Sequence, residues 1–106
     1  MNKYTQKFEK LKIESNSYFE EEFVSVEAEE IENIRIKSSL LKLIQEVKDN
    51  ESEEKYQEVK KDVIGYLCDI SGHSGDLDVL KSHTPSILSE EELEYIIQNS
   101  ALSRWL

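Results

Sequence analysis

The sequence predicts an all-α protein, a small bundle of about four to five helices, and three observations carry that prediction. Apolar residues recur at helical spacing: Tyr56, Val59, Val63, Tyr66, Leu67 and Ile70, at i, i+3, i+7, i+10, i+11 and i+14, share one face of a 3.6-residue period. Three glycines and a single proline supply too little turn chemistry for a many-stranded sheet. A hydrophobic fraction of 38% beside a charged fraction of 34% suits amphipathic helices around one core, and 106 residues are expected to form a single helical domain, 1–106.

Residues 1–13 read as a first amphipathic helix, with Tyr4, Phe8 and Leu11 at i, i+4 and i+7, and Lys3, Lys7, Lys10 and Lys12 facing Glu9 alone. A competing reading takes 8–13 and 18–26 as the strands of an N-terminal β-hairpin around Asn16-Ser17, because Leu11, Ile13, Val24 and Val26 alternate with polar residues. The helix is the preferred reading. Residues 14–32 then hold eight acids and no base: Glu14, Glu20, Glu21, Glu22, Glu27, Glu29, Glu30 and Glu32. Tyr18, Phe19, Phe23, Val24 and Val26 are interleaved with them, so the segment has apolar surface to pack and is not a disordered acidic tail.

Residues 31–47 read as the longest helix, on Ile36, Leu40, Leu43, Ile44 and Val47, with Lys37, Lys42 and Lys48 outside the apolar stripe. Ile34 and Leu41 widen the arc, which places this helix between neighbours on two sides. Asp49-Asn50 ends it, Ser52-Glu53-Glu54 starts the next, and the short connection makes the two an antiparallel hairpin. Thr84-Pro85 breaks the chain again. Ser89 with Glu92 three residues later is a capping box that opens a last helix carrying Leu93, Ile96, Ile97 and Ala101. Trp105 either lids the core or stands exposed as an anchor; the lid is the first reading.

Between these helices lies Ser71-Gly72-His73-Ser74-Gly75-Asp76, a corner with a glycine just past the last apolar position. Gly75 is expected at positive φ, and Asp76 to cap the short helix of Leu77, Val79 and Leu80. The order of Leu67, Ile70, Gly75, Asp76, Val79 and Leu80 resembles a HEAT-like repeat, whose paired antiparallel helices join through a Gly-Asp turn. The resemblance covers residues 56–80 and departs from the pattern, since no proline follows the Asp and Thr84-Pro85 cuts the second helix short. It implies HEAT-like antiparallel helix pairs and a protein-binding scaffold rather than a reaction.

Motifs for chemistry are absent. His73 and His83 are ten residues apart in loops, with no ligand spacing for zinc, and Asp76-Leu77-Asp78 lacks the order of a calcium loop. Cys68, the lone cysteine, has no disulfide or metal partner in the sequence and reads as a small apolar residue beside the core. No phosphate loop, nucleophile elbow or basic-aromatic stripe occurs, so neither enzyme chemistry nor a cofactor or metal is expected. No leader pattern and no run of 18 apolar residues is found, and a cytoplasmic location is expected.

The net charge of −10 argues against direct nucleic-acid binding and for a partner with a basic surface. Candidate contact residues are Glu20, Glu21, Glu22, Phe23 and Glu27 in the first acidic segment, Glu90, Glu91 and Glu94 in the second, and Trp105. In general appearance the chain is similar to small acidic bacterial immunity proteins, some built on HEAT-like helix pairs, which neutralise a cognate toxin. That similarity implies an inhibitor of a toxin, such as a nuclease with a basic cleft. The alternatives are a phage- or plasmid-encoded regulator that mimics nucleic acid or docks on a host enzyme, and a structural adaptor subunit.

Overall fold

The computed structural model describes residues 3–20, 22–23 and 25–105, and there its regular structure is all helix: α1 Lys3–Glu20, α2 Val26–Asn50, α3 Glu53–Ile70, α4 Ser74–Ser82, α5 Glu90–Gln98 and a closing 3-10 helix, η1, Ala101–Trp105. Among the described residues no strand forms, so the hairpin alternative fails: residues 8–13 and 18–20 lie within α1.

Helix α1 outruns the expected 1–13 because its buried stripe continues in polar residues. Tyr4, Phe8, Leu11, Ser15 and Tyr18 hold i, i+4, i+7, i+11 and i+14, and Ser15 is only 2% exposed. An apolar count stops at Ile13, which points outward. Helix α2 begins five residues before the expected start. Ser25 is the N-cap, its Oγ accepting from the Ala28 N–H at 3.1 Å, and Glu27 and Glu29 sit in the first turn against the positive helix end.

Helix α2 is the spine: α1 packs on it, and so do α3, through the two-residue connection Glu51-Ser52, and α4. Its face of Ile36, Leu40, Leu41, Ile44 and Val47 meets Tyr4 and Phe8 from α1 and Val63 and Leu67 from α3 in one continuous core. Phe8 stands edge-on to Tyr66, with ring centroids 5.8 Å apart. Truncating the fully buried Leu67 to Ala costs about 2–5 kcal/mol by lost transfer energy and the cavity left behind. Ser52 caps α3 as expected, its Oγ accepting from the Lys55 N–H. The Ser89 box also forms, with Glu92 N–H donating to Ser89 Oγ and Ser89 N–H to Glu92 Oε1. Glu92 further ties α5 to α3 through Lys60 Nζ at 2.7 Å.

The corner departs from expectation. No described residue has positive φ, and Gly75 is an ordinary residue in the first turn of α4. The N-cap is His73, so Asp76 is the third residue of the helix and reaches back rather than leading it. Nor is Trp105 a core lid. It is 50% exposed, and its indole N–H donates to Gly72 O at 2.9 Å beside an Arg104 Nη2 bond to the same oxygen at 2.6 Å, which latches η1 to the corner. Ala101 falls in η1, exposed, rather than in the last α-helix.

Candidate functional site

The site begins with two residues one turn apart on α2, Asn33 and Lys37, and one on α4, Asp76. The Asp76 side chain is fully buried and that of Lys37 only 3% exposed, with Lys37 Nζ 3.1 Å from Asp76 Oδ1. Asn33 lies between them: its Nδ2 donates to Asp76 Oδ1 at 2.6 Å, and its Oδ1 accepts from Lys37. The other carboxylate oxygen of Asp76 accepts from Gly72 N–H at 2.9 Å and His73 N–H at 3.0 Å, two donors that the start of α4 would otherwise leave unmet. Burial pushes the Asp76 carboxyl up, but the two backbone donors, Lys37 and Asn33 outweigh it and hold its pKa below the ordinary carboxylate value. Burial likewise lowers the Lys37 ammonium, and Asp76 restores only part. The expectation that Lys37 lies outside the buried stripe is therefore overturned: with its charge paired and satisfied, it is part of the interior. An ammonium so enclosed serves as a clamp between α2 and the corner.

Next to the stripe of Asn33 and Lys37 runs a second one, Val26, Glu30 and Ile34 at i, i+4 and i+8. With α4 it borders a groove of about 650 Å³. Glu29 and Glu30 from α2 and Asp78 from α4 supply its charge, Val26 and Ile34 its exposed apolar surface, and Asn33 contributes to its lining. Tyr18 reaches in from α1, its hydroxyl donating to Glu29 Oε1 at 3.4 Å. Burial and the Glu29 carboxylate push the Tyr18 phenol up to about 12, so it stays a donor across the physiological range.

The expected contact residues fall into two groups that the fold keeps apart. Glu20 ends α1, Glu22 and Phe23 lie in the connection and Glu27 is in the first turn of α2, so all four stand at one end of the α1/α2 pair. The three acids are exposed, and Phe23 is half-buried with its ring centroid 5.3 Å from that of Tyr18. Glu21 lies outside the described residues. Glu90, Glu91 and Glu94 are exposed on α5, whose main neighbours are α3, α4 and η1. Trp105 is at the corner.

Sequence reasoning missed Asn33, Ile34, Lys37 and Asp78 as parts of a site. The signal for the groove was present in Val26, Glu30 and Ile34, an exposed i, i+4, i+8 stripe beside a buried one. The link between Lys37 and Asp76 joins residues 39 apart and leaves no local trace. Among the described residues no three His, Cys, Asp or Glu side chains gather to hold a metal, and no helix is long and apolar enough to cross a membrane.

No protein-family model matches the chain, and neither a curated protein nor a solved structure does.

Proposed function

We propose that this chain is an immunity or inhibitor protein that binds a toxin domain with a basic surface, a nuclease being the best fit, and blocks it by charge-complementary contact. One observation carries the reading. At the α1/α2 end Glu20, Glu22, Glu27, Glu29 and Glu30 are exposed, and none is in an ion pair among the described residues. Arg35, the base on this part of α2, is already held by Glu14 and Glu32. Unneutralised carboxylates clustered at one end raise the local field, and such a field accelerates encounter with a cationic surface. The exposed Val26 and Ile31 in the same stretch offer apolar area to bury once contact is made.

The test is affinity capture with the tagged chain from its native host, followed by co-expression and kinetics with the protein recovered. The reading expects a basic protein whose expression arrests growth, relief of that arrest by this chain, and an association rate that falls as salt is raised. A partner that binds at a rate indifferent to salt, or whose toxicity the chain does not relieve, refutes it. Recovery of a host polymerase or regulatory enzyme instead points to the phage- or plasmid-encoded regulator.

A further inference from the structure

We propose that the groove between α2 and α4 receives a short segment of the partner protein in which an arginine or lysine stands next to an apolar side chain. The proposal rests on the reading that the partner is a basic protein, and it assigns the place and the chemistry of the anchor.

Two other concave surfaces, among the described residues, differ from this groove in charge. The groove between α1 and α3 contains Lys12 and Lys55 among its acids, and that between α1 and α2 contains Lys7, Lys10, Arg35 and Lys42. The first sets its two lysines against Glu9, Glu58, Asp62 and Asp69, and in the second the bases outnumber Glu14 and Glu46, so each holds cations of its own. The α2/α4 groove is lined by Glu29, Glu30 and Asp78 and by no lysine or arginine. Lys37, one turn along α2 from Asn33 in the lining, is engaged by Asp76 and Asn33 and is closed to solvent. Three carboxylates around a concavity are thus left without a cation of their own, and walls of low dielectric strengthen their pull on one from outside.

The apolar part fixes the rest of the occupant. Val26 is 67% exposed and Ile34 44%, bracketing Glu30 one turn to either side. A free ion would leave both bare. An arginine or lysine lays its aliphatic stem along such residues while its head reaches the carboxylates, and an adjacent apolar side chain covers the remainder. A volume of about 650 Å³ lies within the usual range for a binding pocket and accommodates a few side chains, not a whole helix.

The experiment uses the full chain, labelled with nitrogen-15, titrated with a ten-residue peptide of alternating arginine and leucine. Amide shifts are expected in residues 26–34 and 74–82. The double variant Glu30→Lys with Asp78→Lys, both at exposed positions, should weaken binding about tenfold or more. Asp49→Lys with Glu51→Lys makes the same change of net charge about 28 Å along α2 from Glu30, beyond the reach of screened charges, and should leave the affinity within about twofold. Replacing leucine by serine in the peptide should also weaken binding. Equal losses in the two double variants, shifts centred on α5, an arginine-serine peptide that binds as well, or no shifts at all would each overturn the proposal. With the captured partner, loss of affinity on reversing Glu20 and Glu22 but not Glu30 and Asp78 removes the groove as anchor and leaves the inhibitor reading standing. Indifference to salt and to both reversals removes the inhibitor reading itself.

Discussion

Replacing Asp76 by alanine tests the central clamp most directly. The carboxylate accepts from Gly72 N–H, His73 N–H and Asn33 Nδ2 and pairs with Lys37. The two backbone donors lie at half-exposed or exposed residues where water can replace the carboxylate, so their loss resembles loss of an ordinary cap, about 1 kcal/mol. Lys37 is different: its side chain is 3% exposed, and removing the partner of a buried charge costs about 3–5 kcal/mol. The sum, about 4–6 kcal/mol, is a large share of the roughly 5–15 kcal/mol that holds a domain folded. Lys37→Met should cost much less, about 1–2 kcal/mol, because Asp76 keeps three neutral donors while the desolvated ammonium is gone. The double variant Lys37→Met with Asp76→Ala should then be less destabilised than the sum of the single changes, since no charge is left stranded. Urea titrations followed by far-ultraviolet circular dichroism, compared at constant m-value, give all three numbers. Asp76→Ala costing no more than Lys37→Met, or strict additivity in the double variant, would refute the clamp.

Four further outcomes are expected. Gly75→Ala should stabilise by about 0.4–1 kcal/mol, since the residue is helical and an added Cβ meets nothing within 4 Å, whereas Gly72→Ala should be the less favourable of the two because its Cβ would stand 3.3 Å from that of Ala101; thermal melts decide the order. Asp76, Glu92 and Glu32 all have lowered pKa values, so the stability they confer is fully present above their unfolded values near pH 4 and is lost as pH falls through the folded ones, and Asp76→Asn should flatten that acid limb in urea midpoints measured against pH. Lysine reversals at Glu20, Glu21 and Glu22 should slow association with the partner and weaken its salt dependence in stopped-flow kinetics, while reversals at Glu53 and Glu54 do much less. Burial and the neighbouring Asp69 carboxylate raise the Cys68 thiol, so a disulfide reagent at neutral pH should react with it more slowly than with free cysteine; reaction as fast as the free thiol would contradict that placement.

The helices were legible because their cores are apolar and periodic: the buried residues of α3 are drawn from the same stripe that the spacing picks out, with Ile64 added. The caps at Ser52 and Ser89 were legible because a cap is a local device, settled within four residues. What escaped was mostly decided at long range or masked by composition. Ser15 and Tyr18 carry α1 onward with polar atoms, and the early start of α2 rests on Ser25 and two acids that read more readily as part of a charged run. Lys37 bears the residue type that interiors most often exclude, and Asp76, brought alongside by the packing of α4 on α2, allows it there together with Asn33. The corner was misjudged for a related reason. A Gly-Asp pair suggests a left-handed turn, yet here the Asp satisfies the backbone from inside the helix, which leaves the glycine no special task. Of the candidate site, the acidic segments were visible as composition, but the groove required knowing which of those acids face α4.

The bond from the Trp105 indole to the Gly72 carbonyl also gives the molecule its own optical reporter. Trp105 is the sole tryptophan, so selective excitation reads one place, the junction of α3 and α4, and Arg104 lies over its ring at 5.4 Å. Its emission follows the latch rather than the core of α2, and the same junction supplies His73 and Ser74 to the groove. An occupant settling there would register as a change in colour or intensity without any label, and so would an unlatching of η1.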